Sequence, residues 1–272
     1  MDYSNIIWAF VWFIVLGAAM GAMLALASKI FAIKVDPRVE KIVSVLPAAN
    51  CGGCGYAGCE ALAVAIAKGD APPNACTAGG LETAQAVAEI MGVPAVAPRR
   101  MRAQVMCSGT QGKARLKYNY SGPMDCNVAM KLAGGDKICP YGCIGHGTCM
   151  AACKFGAIDI KDGVAVVDYK RCRGCGVCAS ACPKHVIKLV PYEIDHWVSC
   201  NSTDDGKMTR SYCDVGCIAC KLCEKVCEYD AIHVKNNLAE IDYSKCTSCG
   251  KCVLKCPRKI ILHSRDPRAK TA

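Results

Sequence analysis

Hydrophobic positions fall into two regimes along the chain. From Ile6 to Ala27 every residue is uncharged and either apolar or Gly, 22 in a row. As a helix that run spans about 33 Å, enough for a bilayer core. Past it the pattern breaks into short pieces. Asp36-Pro37 opens a helix that ends near Leu46-Pro47, because Pro suits a first turn and breaks an interior. A helical pattern runs from Leu81 to Met91 after Gly79-Gly80, and GVPAVAPRR (92–100) reads as a linker. Farther on, apolar pairs such as Ala157-Ile158 and Val186-Ile187 follow runs of cysteine and predict short strands. The expected class is α+β: a transmembrane anchor (1–30), a small helical domain (31–92), a linker (93–104) and two related modules (105–190 and 191–272).

The first segment reads as an anchor. Trp8 and Trp12 suit an interface, and Lys29, Lys34, Arg38 and Lys41 follow the span, whereas only Asp2 precedes it as a charge. By the positive-inside rule the remainder faces the cytoplasm. A cleaved signal peptide is the alternative, with Ala25-Leu26-Ala27 as its site, but a basic n-region is missing and the apolar run is too long. The span carries no ionisable residue, so it forms no ion path by itself. Gly17 and Gly21 give a GxxxG spacing that suits packing against another helix.

Cysteine is the compositional outlier, with 24 in 272 residues, while aromatic residues make up 6%. So little aromatic core leaves metal ligation to supply folding energy. Tight C-x2-C clusters in a reducing compartment argue against a disulfide framework. In the helical domain CGGCGYAGC (51–59) and Cys76 group Cys51, Cys54, Cys59 and Cys76 around one [4Fe–4S] cluster, with glycines that let the backbone wrap it. Residues 53–58 also match G-x-G-x-x-G, yet helix and Pro precede them where a dinucleotide site needs a strand.

From residue 107 onward the chain repeats itself. Cys139, Cys143, Cys149, Cys153, Cys172, Cys175, Cys178 and Cys182 recur 74 residues later as Cys213, Cys217, Cys223, Cys227, Cys246, Cys249, Cys252 and Cys256. VDYKRC (167–172) matches IDYSKC (241–246), and each unit holds two runs of the kind C-x2-C-x2-C-x3-C, the signature of a two-cluster ferredoxin-like module. Two mismatches stand out. His146 replaces the cysteine that its counterpart Cys220 supplies. Cys107 pairs with Cys200, but it lies 32 residues before Cys139 whereas Cys200 lies 13 before Cys213, so the first module has a 19-residue insertion. That insertion carries Cys126, the one cysteine without a repeat partner, and Cys126 is expected to complete the cluster that His146 does not.

Crossed ligation then assigns Cys126, Cys143, Cys149 with Cys182; Cys172, Cys175, Cys178 with Cys153; Cys217, Cys220, Cys223 with Cys256; and Cys246, Cys249, Cys252 with Cys227. Cys107, Cys139, Cys200 and Cys213 remain as two symmetric pairs, suited to a sixth cluster between the modules or else free. Exchange of Cys126 and Cys139 gives a second partition. Histidine ligation by His146, as in Rieske iron, is a third possibility, and a loop hydrogen bond is the plainer role for it. Zinc competes for the set as a whole, but structural zinc sites pair two short C-x2-C elements across a longer spacer.

The formal charge is +10. After residue 27 there are 33 basic and 22 acidic residues, a balance of +11. Each four-thiolate [4Fe–4S]2+ centre adds about −2, so six bring this to about −1. The Lys and Arg excess offsets cluster charge, and nucleic acid is not an expected partner.

The apolar helix, the PAANCGGCGYAGC motif (47–59) and the ferredoxin-like modules together resemble the B-type subunit of the Rnf complex, over nearly the whole chain. His146, Lys154 and Glu228 depart from the plain ferredoxin run. The resemblance implies the iron–sulfur subunit of a ferredoxin:NAD oxidoreductase in the cytoplasmic membrane, exporting Na+ or H+. This subunit would take electrons from reduced ferredoxin and relay them to other membrane subunits, with no complete NAD site of its own. A membrane-anchored polyferredoxin serving another reductase, without ion pumping, is the alternative. Bacterial ferredoxins are acidic, which makes Lys245, Lys251, Lys255, Arg258 and Lys259, or Lys170, Arg171, Arg173 and Lys184, candidate docking residues. The same residues also suit balancing cluster charge.

Overall fold

A computed structural model describes residues 3–31, 36–97 and 99–264. Lys34 and Pro98 of the sequence reading lie outside the described residues. Helix α1 (Tyr3–Ile30) is apolar around its whole circumference, and its Ile7–Ile30 stretch has the length and composition of a membrane span, with none of it buried against the protein. Lys29 sits in its last turn.

Three helices build the next unit: α2 (Pro37–Val45), α3 (Cys59–Lys68) and α4 (Gly80–Met91). Asp36 caps α2 by accepting from the Arg38 amide, with Pro37 in the first turn, as expected. Helices α3 and α4 stop at Gly69 and Gly92, whose φ values of 85° and 67° need a residue without Cβ. Ile42, Leu62, Ile66 and Val87 are fully buried between the three helices, and Cys51, Cys54, Cys59 and Cys76 pack against that core.

Residues 101–104, placed in the linker by the sequence reading, are strand. β1 (Met101–Val105) pairs antiparallel with a strand far along the chain, and backbone pairing outweighs the Pro-rich flank in setting the boundary. The first module continues through α5 (Cys126–Lys131), α6 (Thr148–Ala152), β2 (Ile158–Lys161), β3 (Val164–Val167), α7 (Val177–Ser180) and β4 (Ile187–Pro191). The second runs through β5 (His196–Val198), α8 (Gly206–Tyr212), α9 (Leu222–Lys225), β6 (Ile232–Lys235), β7 (Leu238–Ile241), α10 (Lys251–Lys255) and β8 (Ile261–His263).

Strand register repeats with the sequence. Ile158 pairs with Val167 between β2 and β3, and Ile232 with Ile241 between β6 and β7, each partner 74 residues on. Val105 pairs with Ile187 between β1 and β4, and Val198 with Ile261 between β5 and β8. Here the second partner moves by 74, and the first by 74 plus the 19 inserted residues. Each module is thus a pair of two-stranded ribbons with short helices between them. The modules meet through buried Met106, Val190, Trp197 and Leu262, and the buried Arg102 guanidinium lies over the Tyr169 and Trp197 rings.

The insertion crosses that joint. Ala114 bridges to Cys213, the Arg115 amide donates to the Tyr212 carbonyl and the Asp214 amide donates to the Lys113 carbonyl.

Candidate cluster-binding sites

Two-stranded ribbons are marginal alone, and here they close over cysteines. Cys107, Cys143, Cys149, Cys172, Cys178 and Cys182 are themselves part of the first module's buried core. None of the 24 cysteines is paired in a disulfide. Five cavities of similar size, about 310 to 370 Å³ of empty volume, are each lined by four of them.

In the helical unit the four are Cys51, Cys54, Cys59 and Cys76. In the first module they are Cys126, Cys143, Cys149 and Cys182. In the second module Cys217, Cys220, Cys223 and Cys256 form one set, and Cys227, Cys246, Cys249 and Cys252 another. The fifth cavity lies between the modules and takes Cys107 and Cys139 from one and Cys200 and Cys213 from the other. A Cβ placed on Gly109 would stand 3.6 Å from the Cys107 sulfur and 3.8 Å from the Cys213 sulfur, so thiols from both modules converge there. The last quartet, Cys153, Cys172, Cys175 and Cys178, is close enough that Cys178 feels the charge of the other three. Among the described residues no three His, Cys, Asp or Glu side chains close around a point the size of a single metal ion.

Backbone amides are aimed at the sulfurs. Ala157 N–H points at Cys153 Sγ (3.4 Å), and its counterpart Ala231 N–H at Cys227 Sγ (3.3 Å). Ala103 N–H donates to Cys172 Sγ, Cys217 N–H to Cys200 Sγ and Gly109 N–H to Cys107 Sγ. Such donors favour thiolates that carry cluster charge. Burial acts the other way. It pushes the Cys139 and Cys252 thiols up to about 11, and Cys178, Cys200 and Cys223 up to about 12, with neighbouring thiolates adding to the effect. Cys143 and Cys149 are raised for the same reason. Bare, these thiols keep their protons at neutral pH. Four of them around a cationic iron–sulfur core give the protons up. Donor set, cavity size and amide placement all fit a [4Fe–4S] group.

His146 is not among the residues lining the Cys126 cavity. Its ring stacks on Tyr120 of the insertion with centroids 4.6 Å apart, and its Nε2 lies 3.7 Å from Asp136 Oδ2, too far for a hydrogen bond. Cys126 opens α5, capped by Asp125, and its amide donates to Thr148 Oγ1 at 2.7 Å, which ties the insertion to the helix that carries Cys149.

Sequence patterns did not single out four nearby residues. Lys137 is buried beside the inter-module cavity and donates to the Gly109 and Gly163 carbonyls at 2.8 and 2.7 Å, where its charge favours the Cys143 thiolate. The Tyr212 hydroxyl donates to Asp204 at 2.9 Å, and Tyr141 of the first module reaches the same carboxylate. No spacing rule marks any of them, and the partners of Lys137 and Tyr141 are remote in sequence.

Several candidate docking cations are committed elsewhere. Arg258 donates to the Cys213 and Gly216 carbonyls, Lys184 to the Pro140 carbonyl, and Arg171 pairs with Asp168 and Asp159. Lys251 pairs with Glu228 and Lys245 with Asp230 at the surface.

Comparisons with known proteins agree with this geometry. An Fe-S cluster family matches residues 46–78, and the 4Fe-4S dicluster domain matches 142–186 and again 216–261, starting 74 residues apart. The B-type subunit of the Na(+)-translocating ferredoxin:NAD(+) oxidoreductase complex of Acetobacterium woodii is 48% identical over 91% of this chain and 74% of its own length. The B-type subunit of the ion-translocating oxidoreductase complex of Methanosarcina acetivorans is 44% identical over 90% and 94%. The B-type subunit of the proton-translocating ferredoxin:NAD(+) oxidoreductase complex of Clostridium ljungdahlii is 43% identical over 89% and 87%. With quartets of thiols along its length and relatives of this kind, the chain belongs to the family of B-type subunits of the Rnf ion-translocating oxidoreductase complexes, as a membrane-associated iron–sulfur electron-transfer subunit.

Proposed function

We propose that this subunit accepts electrons from reduced ferredoxin on the cytoplasmic side and relays them through six [4Fe–4S] clusters to membrane partner subunits, for NAD reduction coupled to Na+ or H+ export. The observation that carries the reading is the division of all 24 cysteines into six quartets, five of them around cavities of similar size. By name, two of the relatives belong to ferredoxin:NAD oxidoreductase complexes, one Na+-translocating and one proton-translocating. A bound [4Fe–4S] group supplies one-electron chemistry.

The chain's own residues do the rest. The thiols hold each group, the amides of Ala157, Ala231, Ala103, Cys217 and Gly109 favour its negative charge, and Lys137 adds a buried cation between two quartets. The apolar α1 keeps the assembly at the membrane, and Lys29 in its last turn with Arg38 and Lys41 after it support a cytoplasmic soluble part. NAD chemistry and ion export belong to partner subunits under this reading.

Anaerobically purified protein should contain about 24 iron and about 24 sulfide per chain, six groups of four. The purified complex should oxidise reduced ferredoxin. Iron near 16, or stoichiometric zinc, rejects the six-cluster assignment. Intact iron with no ferredoxin oxidation points to a different donor, as in a polyferredoxin of another reductase.

A further inference from the structure

The repeat exposes an asymmetry between the modules. In the first, Cys175 and Phe155 pack against the core of the helical unit. The approach is between backbones: a Cβ on Gly53, in the CGGC loop, would stand 2.4 Å from the Cys175 carbonyl oxygen. A cluster-binding loop is therefore seated on the first module at Cys175. Seventy-four residues on, the same positions are Cys249 and Tyr229, which line one cavity with Cys227, Cys246 and Cys252. Among the described residues no helical unit packs over them. Cys249 is exposed, Tyr229 is 47% exposed, and Leu254, on α10 with Lys251, is 90% exposed where the first module has Ser180.

We infer that this open face of the second module is the docking surface for a small acidic iron–sulfur protein, which seats its own cluster loop on Cys249 as residues 51–59 seat on Cys175. This rests on the ferredoxin-donor reading and names where the donor binds. Three observations select that occupant. The occupant of the equivalent face is itself a glycine-flanked cluster loop, so the shape of the seat is known from within the chain. Tyr229 and Leu254 are apolar anchors left in water beside a cysteine quartet. The segment 245–259 has no acidic residue and five basic ones, of which Arg258 is turned to the Cys213 and Gly216 carbonyls, and its pairs Lys251–Glu228 and Lys245–Asp230 are exposed, hence weak enough to exchange partners. Position fits as well. Only five residues separate Ile30 from Asp36, so the helical unit lies within about 20 Å of the end of the anchor. The open face is on the module farthest along the chain from that tether.

The test uses the intact, anaerobically purified complex and an acidic bacterial two-[4Fe–4S] ferredoxin as probe. Binding of oxidised ferredoxin is measured by calorimetry, contact by hydroxyl-radical footprinting, and electron entry by ferredoxin oxidation. Tyr229→Asp and Leu254→Asp should each weaken binding by about tenfold or more. Ferredoxin should shield Tyr229 and Leu254 in the wild type. Iron content and reduction by dithionite should stay unchanged, and Ser180→Asp in the first module should have no effect. Unchanged affinity in both variants with full iron content overturns the proposal, as does release of the chain from its partner subunits in either variant, which would make the face a subunit contact. If the wild-type complex binds no ferredoxin, the donor reading itself fails and the docking proposal with it. That failure is told apart because it appears before any substitution.

Discussion

Cys126 enters its quartet from an insertion, while His146, in the register position of a ligand, turns its ring onto Tyr120. At this scale the repeat was informative and spacing was not. An extra cysteine and a missing one in the same module pointed to substitution, but spacing could not choose between Cys126 and Cys139. The choice depends on how the insertion folds back, with Asp125 capping α5 and Thr148 accepting from Cys126, and with Cys139 turned to the inter-module cavity. Cys126→Ala should therefore cost about four irons per chain or convert one cluster to a three-iron form, whereas His146→Ala should leave iron and sulfide unchanged. Iron analysis with low-temperature EPR decides between them. Loss of a cluster in His146→Ala alone would make the imidazole a ligand.

The strand ribbons show what local pattern can and cannot carry. Ala157-Ile158 and Val186-Ile187 announced strands, and Ile158 and Ile187 open β2 and β4. β1 went unrecognised inside a Pro-rich linker because its reason to be a strand is β4, more than 80 residues away. Pairs of this size do not stand alone, and six cysteines sit inside the first module's core, so iron and fold are coupled. Stripping iron with a chelator should abolish the native circular dichroism of both modules together, while α1 keeps its helical signal. Reloading should depend on pH. Thiols raised to about 11 or 12 by burial stay protonated at neutral pH in any folded apo form, and iron must displace those protons. Iron uptake should accordingly release protons, and reconstitution should be faster near about pH 9 than near about pH 6, measured by pH-stat and by recovery of the brown colour. Uptake without proton release would mean the thiolates are already formed.

For the molecule as a whole, charge has to be counted with its cofactors. The chain is formally +10, and the six clusters proposed, at about −2 each, would reverse that sign. Deleting residues 1–27 should release a soluble brown protein. Anaerobic isoelectric focusing should place it well below the same fragment stripped of iron, which should focus as a basic protein. Equal isoelectric points would refute the cluster count. The duplication, the anchor and the quartet in residues 51–76 were legible in the sequence because each is local or periodic. The seating of Gly53 on Cys175 was not, since it joins two segments with no shared pattern.

The cavity that takes two cysteines from each module also bears on how the protein is made. Five quartets lie within one module or within the helical unit, and a growing chain can complete them in order as it leaves the ribosome. The quartet of Cys107, Cys139, Cys200 and Cys213 cannot close until the second module has begun to fold onto the first, with Ala114 bridged to Cys213. A group held there would mark a chain whose second module has been joined to its first, because neither half alone supplies four thiols.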